Sequence, residues 1–111
     1  MSEPVPILRG TLDILVLKAL NWGPMHGVQI SDWLDARGDG RLELLDSALY
    51  QALYRLEERG LIKGEWGTTD NNRRARYYNL TVTGRGHLEA ERAKWLRYSE
   101  TVNAILLARS R

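Results

Sequence analysis

A mainly α-helical domain carrying one small β-hairpin and a long C-terminal helix is the fold class this sequence predicts, and three observations predict it. Leu49, Ala52, Leu53 and Leu56 recur at intervals of three and four, the spacing that lines one face of a helix. After Gly60 the pattern changes. Leu61-Ile62-Lys63-Gly64-Glu65-Trp66 and Ala75-Arg76-Tyr77-Tyr78-Asn79-Leu80 are rich in β-branched and aromatic residues, and the polar stretch Thr68 to Arg74 separates them as a loop separates two hairpin arms. No breaker interrupts the chain after Gly86, so the residues from Thr83 onward read as one helix.

Taken in order, Thr11 can cap a first helix running through Leu20. Leu12, Leu15, Val16, Ala19 and Leu20 form its buried face, and Asp13 lies near the positive end of its dipole. Asn21-Trp22-Gly23-Pro24 stops it. A second helix over about Gly27 to Ala36 carries Val28, Ile30, Trp33 and Leu34, and Gly38-Asp39-Gly40 breaks it. Arg41 to Leu45 alternates weakly, as a short strand does. The third helix can be capped by Asp46 or Ser47, and Gly60 supplies the left-handed residue that ends it. In the last helix, Leu88, Trp95, Tyr98, Val102 and Ile105 or Leu106 fall close to a seven-residue repeat, with Glu89, Arg92, Lys94, Arg97 and Glu100 around them. So long a stripe cannot be buried by so small a domain. It is expected to pack on the same helix, or the first helix, of a second subunit. Two units follow: residues 1–82 as the globular domain, its first helix also contributing to the dimer, and residues 83–111 as the dimerisation helix.

Composition bounds the function. A chain of 111 residues with 43% hydrophobic content suits one small domain. The absence of cysteine excludes disulfides and thiolate metal sites, and two isolated histidines, His26 and His87, make no metal cluster, so neither metal nor cofactor is expected. The apolar run Leu12 to Leu20 is broken by Asp13 and Lys18 and is too short to span a membrane. Met1-Ser2-Glu3-Pro4-Val5-Pro6 lacks the basic start of a secretory leader, so a cytoplasmic location is expected. His26 with Asp13 or Asp32 supplies no set of nucleophile, base and orienter. His26, preceding Gly27 at a helix start, suits a structural role better, and an enzyme is not expected. The net charge of +2 hides an asymmetry. Residues 1–60 hold six Lys/Arg against nine Asp/Glu, and residues 61–111 hold ten against five. Basic charge concentrated in the hairpin and tail is what a polyanion-binding surface requires.

The chain resembles the PadR-like winged-helix transcriptional regulators. The resemblance rests on Gly10-Thr11-Leu12-Asp13-Ile14-Leu15-Val16-Leu17, on His26-Gly27-Val28-Gln29-Ile30, and on Leu49-Tyr50-Gln51-Ala52-Leu53-Tyr54-Arg55-Leu56-Glu57-Glu58-Arg59-Gly60-Leu61-Ile62. It continues through Arg73-Arg74-Ala75-Arg76-Tyr77-Tyr78-Asn79-Leu80-Thr81-Val82-Thr83-Gly84, and it covers most of residues 8–86. The single tail helix resembles that of the smaller class of the family. The resemblance implies a winged helix-turn-helix domain and a cytoplasmic homodimer that represses transcription from inverted-repeat operators on double-stranded DNA. It also implies release by a small molecule.

Physical roles follow from the winged-helix geometry. The second helix of a helix-turn-helix enters the major groove, with its outward N-terminal residues nearest the base edges. Here these are Ser47, Tyr50, Gln51 and Arg55. Gln51 can pair with adenine, Arg55 can bond guanine or phosphate, and Ser47 at the helix start suits a phosphate. Tyr50 and Tyr54 admit either a DNA contact or a core ring. Arg73, Arg74 and Arg76 offer three positive charges at the hairpin tip, with strand alternation placing Arg74 and Arg76 on one face and Arg73 on the other. Trp22, Trp33 and Trp66 are expected in the core.

Trp95, midway along the tail helix, either fills the dimer seam with Leu88, Tyr98, Val102, Ile105 and Leu106, or lines a site for a flat aromatic effector with Ile7, Leu8, Ile14, Arg92 and Ser99. The second alternative resembles regulators that clamp a drug between paired indoles. Ser99 stands where a drug-binding relative has an acid, so a neutral or anionic ligand suits Arg92 better than a cation. The competing functional reading is a winged helix used for protein contact rather than for DNA.

Overall fold

The computed structural model describes residues 3–110; Met1, Ser2 and Arg111, which the expected domain boundaries include, lie outside the described residues. The element order is β1 (Val5–Pro6), α1 (Leu12–Leu20), β2 (Met25–His26), α2 (Gly27–Arg37), β3 (Leu42–Glu43), α3 (Asp46–Glu58), β4 (Ile62–Thr68), β5 (Arg74–Leu80) and α4 (Val82–Leu106). The three short helices enclose one core. Leu17, Leu20, Ile30, Leu49, Leu53, Leu56, Ile62 and Leu88 are fully buried within it. Burying each such side chain stabilises the fold by about 1.5–3 kcal/mol before chain entropy is counted. Leu17 joins this core and Leu15 is only half-buried, so α1 turns its apolar face slightly away from the orientation expected.

The hairpin is antiparallel and in register from Ile62↔Leu80 to Thr68↔Arg74. Its turn is closed by Thr69, whose hydroxyl accepts from Arg73 N–H at 3.2 Å, and by Asn72 at φ 62°, a left-handed conformation that asparagine tolerates. β2 adds a third strand, pairing Met25↔Tyr78 and His26↔Tyr77, and β1 pairs parallel with β3. Neither β1 nor β2 was expected.

Helix starts differ in detail from expectation. The Thr11 hydroxyl donates to Leu8 O at 2.7 Å instead of capping α1, and α3 begins at Asp46 with Leu45 at the cap position, so neither Asp46 nor Ser47 caps it. His26 takes the structural role foreseen for it. Gln29 N–H donates to its Nδ1 at 3.4 Å while its own N–H donates to Gln29 Oε1 at 3.0 Å, a reciprocal cap on α2. Gly60, at φ 74°, ends α3 as expected.

α4 is anchored at its first turn. Thr81 Oγ1 accepts from Gly84 N–H at 2.9 Å and lies 2.7 Å from Gly60 O, which its hydroxyl proton can reach. Gly84 sits so close to Leu61 O that a Cβ would collide with it. Beyond Leu88 no α4 residue is buried, and the helix projects from the body of a molecule 60 × 35 × 21 Å across. Two tryptophans depart from their expected burial. Trp22 is 68% exposed and Trp66 is 58% exposed, while Trp33 packs partly buried against the core. Val28, expected on the packed face of α2, is also exposed.

Candidate functional site

On α3 the buried stripe Leu49, Ala52, Leu53 and Leu56 leaves the opposite face to solvent, and Ser47, Tyr50, Gln51, Tyr54 and Glu58 occupy it. Tyr54 is not a core ring. Tyr50 is half-exposed and rests on the start of α2, where a Cβ on Gly27 would lie 2.7 Å from its Oη.

Both edges of this exposed face are pinned by ion pairs. On one edge, Arg55 Nη2 donates to Asp13 Oδ1 of α1 at 2.8 Å. On the other, Glu57 Oε2 accepts from Arg76 Nη2 of β5 at 2.6 Å and from Gly64 N–H of β4 at 3.2 Å. The hydrogen bond to Glu57 raises the pKa of Arg76 above its ordinary value. Two of the four arginines expected from sequence to meet DNA therefore hold protein carboxylates. Among the described residues, Arg73 and Arg74 have no carboxylate partner.

The hairpin face beside α3 carries a stack. Trp66 lies opposite Arg76 in the register, with the Arg74 guanidinium 4.2 Å and that of Arg76 5.6 Å from its ring centroid. Tyr78, next on this face, is buried, and that burial raises its phenol pKa. On the reverse face Tyr77 meets the His26 ring edge-on at 5.2 Å, and its hydroxyl donates to Thr68 O at 3.3 Å.

A second site lies away from this surface. A cleft of about 370 Å³ opens between the β1 segment, α1 and α4. The structure brings Ile7, Leu8, Ile14, Arg92 and Trp95 together around it, and Val5, Leu15, Lys18, Leu88 and Leu96, which the sequence did not assign to this site, are also among its lining residues. Ser99 does not line it; its hydroxyl donates instead to Leu96 O at 3.2 Å. Lys18 and Arg92 are the cations that line it, Arg92 Nη1 lying 3.9 Å from Glu89 Oε1 one turn back, and with no carboxylate among the lining residues an anionic group fits there better than a cation.

Leu88 departs from its expected place in a seam between subunits, because it is 1% exposed within its own chain. The tail stripe that remains uncovered consists of Trp95, Leu96, Tyr98, Ile105 and Leu106, all exposed, with Val102 half-buried between them. Among the described residues no group of side chains could hold a metal ion, and no helix is long and apolar enough to cross a membrane.

Comparison with known proteins places this geometry in a family. Residues 16–90 match the model of the transcriptional regulator PadR-like family. A PadR family transcription regulator from Clostridium difficile is 31% identical, the match covering 89% of this chain and 100% of that one with a TM-score of 0.72. One from Eggerthella lenta is 30% identical over 91% of this chain and 86% of its own, with a TM-score of 0.77. A Bacillus cereus PadR-like transcriptional regulator is 25% identical over 92% and 97% of the two chains, with a TM-score of 0.79.

Proposed function

The chain belongs to the PadR-like family of transcriptional regulators, a family of DNA-binding winged helices, and from that premise we propose that it is a homodimeric repressor of an inverted-repeat operator. In this reading residues 1–82 form the DNA-binding unit and residues 83–111 the arm that joins two copies. α3 enters the major groove, where Gln51 and Tyr54 meet base edges and Ser47 and Tyr50 the flanking backbone. The hairpin wing lies on the phosphates through Arg73 and Arg74.

The observation that carries the proposal is the pinned, outward face of α3 beside an arginine-tipped wing. The Asp13–Arg55 and Glu57–Arg76 pairs fix the rotation of the helix while its polar face stays open. A winged helix used only for protein contact has no need of arginines at its wing tip that, among the described residues, meet no carboxylate, which disfavours that alternative. The exposed α4 stripe supports dimerisation, since an apolar row of this length is uncovered in a single chain. The cleft at Trp95 supports control by a neutral or anionic aromatic effector that releases DNA by favouring a dimer geometry unable to span both half-sites. A cytoplasmic location accords with this role.

A gel shift with the DNA upstream of the chain's own gene, against random duplex of equal length, tests the proposal. Preferential retardation of the upstream fragment is expected, and equal retardation of both would overturn it.

A further inference from the structure

We propose that Glu57, an acid on the DNA-facing side, is a positioning residue that sets the wing against the recognition helix. This inference rests on the DNA-binding reading above. An acid beside phosphates would ordinarily repel them, but one oxygen of Glu57 accepts from both strands of the hairpin, from Gly64 N–H at 3.2 Å and from Arg76 Nη2 at 2.6 Å. The contact depends on Gly64. Arg76 lies opposite Trp66 in the register and reaches α3 by crossing Gly64, where an added Cβ would stand 2.5 Å from Arg76 Nε and 2.8 Å from its Cζ. The Arg76 guanidinium thus lies over bare backbone. Its guanidinium is also within 5.6 Å of the Trp66 ring centroid, and the same ring holds Arg74 at 4.2 Å. Glu57, Arg76, Trp66 and Arg74 form a continuous chain from the last turn of α3 to the wing tip. Arg76 acts in it as a strut, with its charge committed to Glu57, and Arg74 is the residue held out toward the phosphates. Trp66 is exposed because its ring is a platform for arginines rather than part of the core.

The test titrates the full-length protein with two duplexes of equal length, one from upstream of its own gene and one random, across a salt series. Glu57→Ala is expected to weaken binding to the upstream duplex about tenfold, the scale of loss when an intact contact set is misaligned. Binding to random duplex should hold or rise, because a charge of the phosphates' own sign is gone. Glu57→Gln keeps an acceptor for both donors and should restore most of the loss. Gly64→Ala, which alters no charge, should reproduce the Glu57→Ala loss, and a thermal melt of each variant separates misalignment from unfolding. The double variant Glu57→Ala with Arg76→Ala should bind the upstream duplex no worse than the weaker single variant. Arg76→Ala alone should leave the salt slope nearly unchanged, whereas loss of a true phosphate ligand lowers it by about 0.9 per contact. Upstream binding by Glu57→Ala as tight as that of the native chain would overturn the proposal, as would additive losses in the double variant or a full-sized slope change for Arg76→Ala. Failure of the native protein to bind either duplex removes the DNA reading itself, and is visible before any variant is measured.

Discussion

The ion-pair pattern divides arginines that look alike in the sequence, and the salt dependence of DNA binding should reveal the division. Arg73 and Arg74 have no carboxylate partner among the described residues, while Arg55 is held 2.8 Å from Asp13. Each phosphate neutralised by a cation contributes about 0.9 to the slope of log affinity against log salt. If each of the two arginines meets one phosphate in each subunit of a dimer, the Arg73→Ala, Arg74→Ala variant loses four contacts, and its slope should flatten by about 3.6. Arg55→Ala removes a partly exposed pair worth about 0–1 kcal/mol to stability and should barely move the slope. Fluorescence anisotropy of a labelled duplex over a salt series gives both numbers. An unchanged slope in the double variant would refute the wing assignment, and an equal change in Arg55→Ala would refute the argument that internal pairing withdraws an arginine from DNA.

Other outcomes follow from burial. Leu88→Ala, in the core of a single chain, should lower stability by about 2–5 kcal/mol in thermal melts. By contrast, Val102→Asp should leave secondary structure intact but place an uncompensated charge in the seam, so sedimentation should show monomer and operator binding should fail with it. Trp95→Ala should abolish quenching of tryptophan fluorescence by flat neutral or anionic aromatic compounds while the dimer persists; retained affinity would assign Trp95 to packing alone. Tyr78 adds a pH dependence. Burial raises its folded pKa above the unfolded value, so its contribution to stability is complete below the ordinary tyrosine range and is lost as pH climbs through the raised pKa. Tyr78→Phe should lose less stability than the native chain across that alkaline window, and identical losses in chemical melts would exclude the burial argument.

Periodic features were legible in the sequence because each reports a local geometry. The leucine stripe and Gly60 placed α3, and the polar stretch marked the break between two strands, although Thr68 and Arg74 at its ends pair within the hairpin and only residues 69–73 connect the arms. Ile7, Leu8, Ile14, Arg92 and Trp95 share one cleft within a single chain, whereas Ser99, grouped with them by its place one turn after Trp95, lies outside it. What escaped was pairing at a distance. The two-residue strands β1 and β2 carry no period of their own and exist only through partners far along the chain. Arg55 and Arg76 display their charge in the sequence but not their partners, which lie 42 and 19 residues away. Trp66 was assigned to the core on hydrophobicity, yet it is more than half exposed and its ring is met by the guanidinium groups of Arg74 and Arg76, a distinction composition does not encode. Leu88 fits the tail repeat by spacing, but it falls before the helix leaves the globular body, so it is buried in the chain's own core.

Chemical footprinting of the upstream DNA by the native protein shows whether α3 and the wing read DNA as a pair. A dimer presenting two α3 helices should protect two major-groove segments related by inverted symmetry, their centres one helical turn, about 34–36 Å, or a multiple of it apart. Each segment should be flanked by phosphates whose protection fades in the Arg73→Ala, Arg74→Ala variant. Uniform protection along the duplex, or a single unpaired segment with unaltered flanks, would contradict the assignment of α3 and the wing as a paired reader of DNA.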